Sequence, residues 1–351
     1  MSDLRLKVFL RTALAWLYYY SGGFAVHLYW RRRRKQSVLI LTFHRVLPER
    51  SAVLREHLAL RSIIITHENF QKLLGFLNKH FELRGLEALG SAPSAGSRAL
   101  CVLTFDDGYH DFFEYAWPAM QRLQAPAIMF LPTALVNTAH CFWWDEVYHL
   151  GMTLEQVPLN GIDGEARELL QRIADTPSAR RTTLVYRLIE LLQDWAPQKL
   201  GALIEHLKAH QACTRQPQKQ ENRLMAWEEI KSLHAEGVQF GSHTRHHFNL
   251  AVTAPEQLRE EVTSSKCDLE LKLRAPVEAF SFPGGHVSDE ALNAVAQAGY
   301  TYACGTRPGF NRPGEELICW RRNNVWDGTL QDFHGRFSPA VFALNLMRKN
   351  F

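Results

Sequence analysis

The 351 residues predict an α/β fold built on a parallel sheet or barrel. Three observations carry that expectation. Apolar runs of strand length recur along the chain, segments with helical spacing alternate with them, and acidic and histidine-rich motifs stand at the ends of the runs. Parallel α/β folds place their sites at that end of the strands.

Residues 37–43 form a short, mainly apolar run, the pattern of a strand covered on both faces. Residues 66–80 place Phe70, Leu73, Leu74 and Leu77 at helical spacing, with Thr66 in position to cap. The stretch 91–97 is rich in Ser, Ala, Pro and Gly and reads as a loop. Strands are expected at 99–105 and 127–131, around a helix at 111–124. From about 145 to 220 strand-like runs disappear, and the block reads as a helical insertion. Alternation resumes with a helix at 227–235, a strand at 238–242, a helix at 255–273, a strand at 279–282, a helix at 288–298 and a strand at 300–304.

Charge is unevenly placed. The chain carries 40 Lys and Arg against 36 Asp and Glu, a net +4, but the first 35 residues hold +7 and the remainder −3. The nearly neutral body excludes a generally basic nucleic-acid binder. A hydrophobic fraction of 46% excludes a disordered or fibrous chain. Six scattered cysteines without a CxxC pair exclude a zinc ribbon and fit a reducing compartment. Nothing in the sequence points to an oligomeric state.

Residues 12–30 have no charged side chain apart from His27, and nineteen residues suffice to cross a bilayer as a helix. Trp16, Tyr18, Tyr19, Tyr20, Tyr29 and Trp30 are types that favour the headgroup level. The Gly22-Gly23 pair weakens a helix in mid-span. The basic residues 31–35 follow where a signal peptide would carry a cleavage site. Residues 1–36 are therefore expected to associate with an anionic membrane surface, spanning it or lying in its interface. A soluble packing helix is the alternative. A spanning segment would leave the large domain, 37–351, on the cytoplasmic side of the inner membrane.

Three segments carry chemistry. In Thr104-Phe105-Asp106-Asp107-Gly108-Tyr109, two adjacent carboxylates at a strand end are costly to bury unless a cation compensates them. In Gly241-Ser242-His243-Thr244-Arg245-His246-His247, His243 and His247 can reach one point if the segment turns, and His246 should point away. One Asp and two His make a metal site with an open position for water, which is the catalytic arrangement, and the second Asp is then free to act as a base. In Phe280-Ser281-Phe282-Pro283-Gly284-Gly285-His286, the turn after the strand exposes backbone N–H groups able to hold an oxyanion. An ordinary strand-to-helix turn is the other reading.

Together these segments resemble the polysaccharide deacetylase family, the NodB-homology group of carbohydrate esterases. TFDDGY resembles its first motif, GSHTRHH its second and FSFPGG a variant of its third, in order over about residues 38–325, with MAWEEI, 225–230, also family-like. The resemblance implies a distorted (β/α) barrel with fewer than eight complete units. It implies a metal-dependent hydrolase that removes N-acetyl groups from an amino sugar. Carried over by motif, Asp106 is the general base and Asp107, His243 and His247 hold one divalent ion, Zn2+ first, with Co2+ or Ni2+ also compatible with such a donor set. A backbone N–H at Gly284 would stabilise the oxyanion.

The chain departs from the family pattern at three places. Gly284 stands where Tyr is common, Phe248 follows the second motif where Pro is usual, and the late motif that supplies an acid is not recognisable. His286 and His334 are candidates for the acid. Arg322, rather than Arg321, is favoured as the residue that orients the base. His44 and Tyr109 are assigned to the substrate side of the site. Trp143, Trp144 and Asp145 are offered either for sugar stacking and hydrogen bonding or for packing the insertion. The expected partner is a cell-envelope glycan or a lipid-linked glycan precursor. An O-acetyl esterase or a non-catalytic glycan-binding scaffold are the competing readings.

Overall fold

The computed structural model describes residues 3–34, 37–51, 60–90, 98–138, 142–155, 158–162, 164–210, 222–313 and 319–348. The loop expected at 91–97, Lys35 and the end of the insertion lie outside them.

Two helices open the chain, α1 (Asp3–Tyr20) and α2 (Gly23–Arg33). The helix expected across 12–30 is therefore two. Gly22 takes a left-handed backbone, φ 85, and breaks it. Ala15 of α1 packs on Ala340 and Val341, while Phe24 and Leu28 of α2 enter the main core. Among the described residues no helix is long and apolar enough to cross a membrane.

The central layers follow in chain order as β1 (Val38–Phe43), β2 (Arg45–Leu47), β3 (Ile64–Thr66), α3 (His67–His80), β4 (Phe81–Leu83), β5 (Ala99–Phe105), α4 (Trp117–Gln121) and β6 (Ile128–Leu131). Thr66 precedes α3 as expected, but its side chain does not cap the helix. Asp327, from the far end of the chain, accepts from the Thr66 N–H at 3.0 Å and from the Asn69 side chain at 2.9 Å, placing a carboxylate at the positive end of the helix.

The insertion is α5 (Trp143–Met152), α6 (Gly164–Ala174), α7 (Thr182–Leu192) and α8 (Pro197–Ala209). Leu170, Val185, Leu188 and Leu203 belong to a core that these helices build for themselves. Then come α9 (Trp227–Ala235), β7 (Gln239–Ser242), α10 (Pro255–Leu273), β8 (Ala279–Ser281), α11 (Asp289–Gln297) and β9 (Tyr302–Cys304). The chain closes with β10 (Phe310–Asn311), β11 (Asn323–Asn324), α12 (Asp327–Leu330) and α13 (Pro339–Arg348).

The main sheet runs β10-β1-β5-β6-β7-β8-β9, with β11 also on β1 and β4 also on β5; β10 alone is antiparallel. Trp320 bridges Cys304 of β9, and three residues later β11 pairs with β1. The segment 320–324 thus ties the last strand back to the first and curls the sheet into the expected distorted barrel.

Strand pleating sorts side chains onto two faces. Leu39, Leu41, Phe43, Leu103, Phe105 and Met129 pack outward among helix residues such as Phe70 and Ile230. Val38, Ile40, Leu100, Val102, Ile128, Phe130, Ala279, Cys304 and Trp320 form the inner cluster. Continuing the inner parity by two residues at each strand end reaches Asp106, His243, Ser281 and Arg322, so the pleat itself aims four polar side chains at the mouth. Gly241 belongs to this inner row because a Cβ there would lie 2.6 Å from the Phe130 ring and 2.8 Å from the Ala279 carbonyl.

Candidate active site

Asp106 is buried and gripped by Arg322. Both guanidinium NH2 groups donate to its carboxylate, Nη1 to Oδ1 and Nη2 to Oδ2, each at 2.8 Å. The fork is itself fixed, with Nε donating to the Gly305 carbonyl at 2.9 Å and Nη2 to the Ser281 hydroxyl at 2.7 Å. Burial alone would raise the Asp106 carboxyl, but the charges of Arg322 and His243 outweigh it and hold the group well below the usual carboxylate range. The Arg321 side chain is exposed and turns to the Pro308 carbonyl.

Asp107 adopts φ 75, a conformation costly for a residue with a side chain and one that functional sites tolerate. Its Oδ1 is buried without a hydrogen-bond partner, 3.2 Å from His247 Nε2 and 3.7 Å from His243 Nε2. Burial would raise this carboxyl too; His247 above all, then His44 and His243, reverse the shift and lower it.

His243 Nδ1 lies 2.7 Å from the Ser281 carbonyl. A carbonyl can only accept, so Nδ1 carries the proton and the Nε2 lone pair turns toward Asp107. Burial pushes this imidazole down to about 4, which keeps it neutral near pH 7. His247 also has a left-handed backbone, φ 61, and its N–H donates to the Thr244 hydroxyl at 2.9 Å. Glu261 on α10 clamps the same turn, accepting from the N–H groups of Arg245 and His246 at 2.8 Å and meeting His246 Nδ1 at 2.5 Å. His246 is thus held away from the other two imidazoles, and Glu261 does what no short motif reveals.

The donor set fits a divalent cation. One ligand atom each from Asp107, His243 and His247 lies within 4.8 Å of the others. In tetrahedral zinc sites the bonds are about 2 Å, so ligand atoms sit roughly 3.3 Å apart. An orphaned carboxylate oxygen facing two imidazole nitrogens is what a cation would satisfy.

Around this centre the assigned residues separate. His44 follows β1, close enough for its charge to bear on both Asp106 and Asp107, and its Nδ1 is buried without a hydrogen-bond partner. Tyr109 does not offer its ring to a glycan. It is buried beside Phe142 and Leu224, with the Arg45 guanidinium 4.3 Å over its centroid. Its motif position lies one residue past the turn, where the chain re-enters the core. Trp143 and Trp144 pack against the insertion and also line a groove with Trp195, His247, Gly284 and His286. The Trp144 ring stands edge-on to His247 at 4.7 Å. Gly284 has φ 62, and its left-handed turn explains a glycine where a bulky residue would strain. His286 shares the groove, whereas His334 is exposed beside Phe333, on a loop that packs on Phe9 of α1.

Arg45, which no motif singled out, is buried and paired with Asp111 at 2.8 Å and Asn222 at 2.7 Å. Asp145 lies near it and near Asp107. Burial pushes the Asp145 carboxyl up to about 7, with Arg45 opposing and Asp107 adding. A carboxyl raised on folding keeps a proton that the unfolded chain releases, so stability is lost as pH rises from about 4 to 7 and the loss then levels off. In protein stripped of divalent ions, Asp145→Asn is expected to raise the melting temperature at pH 8, by on the order of a few kcal/mol in stability, and to change little at pH 4. Thermal melts across that range check it.

A family model described as polysaccharide deacetylase matches residues 192–303. YxkH of Bacillus subtilis (strain 168), which bears a polysaccharide deacetylase name, is 29% identical over 114 residues, 32% of this chain and 41% of that protein. The chain thus spans well under half of that relative. Among solved structures, the Streptococcus pyogenes deacetylase PplD in complex with acetate superposes with a TM-score of 0.56 at 16% identity, covering 88% of this chain and 97% of that one. IcaB from Ammonifex degensii gives 0.54 at 15% identity, with 88% and 97% covered. At such identities the structures speak for the fold. Motifs, family model, curated relative and fold point the same way: the chain is similar to polysaccharide deacetylases over residues 192–303 and shares the fold of solved deacetylases.

Proposed function

We propose that this protein is a metal-dependent hydrolase that removes N-acetyl groups from an amino sugar of a cell-envelope polysaccharide or lipid-linked glycan precursor. One observation supports it above the others: the orphaned Asp107 Oδ1 faces two imidazole nitrogens while Asp106, beside it, is held ionised by Arg322.

Asp107, His243 and His247 would hold the ion, which when bound supplies Lewis acidity toward the acetamide carbonyl and toward water. The chain's own groups do the rest. Asp106 Oδ2, 4.0 Å from His243 Nε2, is the base oxygen on the metal side and accepts a proton from the attacking water. Arg322 holds that carboxylate in one orientation and keeps it charged over the working pH range. Gly284 lines the same groove as His247, and its backbone N–H is the candidate donor to the acetamide oxygen as that oxygen becomes negative. His286, in that groove, is the candidate donor of a proton to the leaving amine. Trp143 and Trp144 offer aromatic faces to the apolar side of a sugar ring.

Acetate release from N-acetylated amino-sugar oligosaccharides, compared with O-acetylated ones, tests the reading. The expected result is preference for the N-acetylated set and loss of activity after chelation. His247→Ala is expected to lose both bound metal and turnover. Unchanged metal content in that variant would remove His247 from the ligand set.

A further inference from the structure

The first two helices are apolar on both sides. On α1, Thr12 and Ala15 are buried, while Leu10, Leu14 and Leu17 repeat along the opposite face. On α2, Phe24, Leu28 and Arg31 turn inward, while Val26 and Trp30 face out. Of the twelve exposed large apolar side chains among the described residues, ten lie between Leu6 and Trp30. Leu17 is 70% exposed and Tyr20 73%, values a monomer in water gains nothing by keeping. A helix apolar all round is one whose second face is covered by something.

We propose that this face docks in the plane of an anionic lipid surface, as a two-helix interfacial anchor. Neither helix has the form of a span: α1, 18 residues long, carries Asp3, Arg5, Lys7 and Arg11, and α2 is too short. At 1.5 Å per residue, the 11-residue α2 covers about 16 Å of a roughly 30 Å hydrocarbon layer. Their rim has the right chemistry for an interface, since Trp16, Tyr20, Tyr29 and Trp30 are exposed at the edge of the leucine stripe. The charge is complementary as well. Arg33 and Arg34 are exposed at the end of α2, and Arg5 and Lys7 at the start of α1, in a segment carrying +7. Arg31, counted with the basic run in the sequence, instead lies inside, over the Phe310 ring at 4.8 Å. A second copy of the chain is the poorer occupant, because a two-fold contact would set two such basic segments against each other.

Co-sedimentation of the full chain with vesicles tests this without reference to catalysis. Vesicles of phosphatidylcholine with about one-third phosphatidylglycerol are expected to bind the protein at least tenfold more tightly than phosphatidylcholine alone, and salt should weaken the difference. The double variant Leu14→Asp, Leu17→Asp, at exposed positions, should lose at least tenfold in binding while keeping its melting temperature. Its acetate release from a soluble substrate should equal that of the wild type. Failure of the wild type to bind either vesicle would overturn the proposal. So would an undiminished affinity in the double variant, or a lipid-independent dimer that this variant dissociates.

Discussion

Asp106→Asn is expected to leave the metal in place and lower turnover by on the order of 10²–10⁴-fold, the usual worth of a positioned general base. Asn keeps the size of the side chain and one acceptor for Arg322. It loses the charge and the second of the two 2.8 Å bonds, so the melting temperature should also fall. The separation of roles lies in the contrast with Asp107. Asp107→Asn should lose metal affinity first and turnover as a consequence, because its Oδ1 is the atom facing both imidazoles. Metal content measured beside kcat distinguishes the two carboxylates. Equal loss of metal in both variants would show that Asp106 is a ligand and not a separate base.

Arg322→Ala should have the largest effect on stability. It leaves a buried carboxylate without its cation, and breaking a buried pair in this way costs about 3–5 kcal/mol. The pH dependence follows from the direction of the shift. In the wild type the folded Asp106 carboxyl lies well below its unfolded value, so the pair stabilises the fold above the unfolded pKa, about 4, and that contribution is lost as pH falls through the folded value. The deficit of the alanine variant is therefore full at neutral pH and shrinks in acid. Without Arg322 the burial effect dominates and the Asp106 carboxyl moves upward. The variant's activity should then fall away on the acid side, where the wild type still turns over, and recover partly as pH rises. Arg322→Lys restores a charge but not the two-pronged grip and should regain only part of either property. Denaturant melts and a pH–rate profile check the two halves separately.

The alternation of strands and helices was readable because long apolar runs and helical spacing are local properties. The expected strand at 99–105 and helices at 227–235 and 255–273 coincide with β5, α9 and α10. What could not be read were elements whose existence depends on partners far along the chain. The two-residue β10 and β11 have no periodicity of their own and exist because β1 offers them an edge. The cap of α3 comes from Asp327, more than 250 residues away.

The site divides in the same way. Asp106, Asp107, His243 and His247 announce themselves by chemistry and spacing. Ser281 acts through its carbonyl on His243 and its hydroxyl on Arg322, and a backbone carbonyl has no sequence signature. Pleat parity was the available signal, since counting by two along β8 puts Ser281 on the inner face. Tyr109 shows the converse error. An aromatic beside a motif suggested substrate contact, whereas the ring is buried under Arg45, whose pairing with Asp111 is visible only in three dimensions. At the amino terminus, composition pointed to a membrane and left open how it would be met. The structure breaks that segment at Gly22 and docks Phe24 and Leu28 in the main core, neither of which the composition shows.

The most direct measurement is anomalous scattering at the zinc edge from crystals of the full-length protein grown with one equivalent of Zn2+. A single strong peak is expected at the mouth of the barrel, about 2.0–2.2 Å from Asp107, His243 Nε2 and His247 Nε2, with Asp106 remaining on Arg322. No peak there, or a peak that draws Asp106 off Arg322 into the coordination sphere, would contradict it.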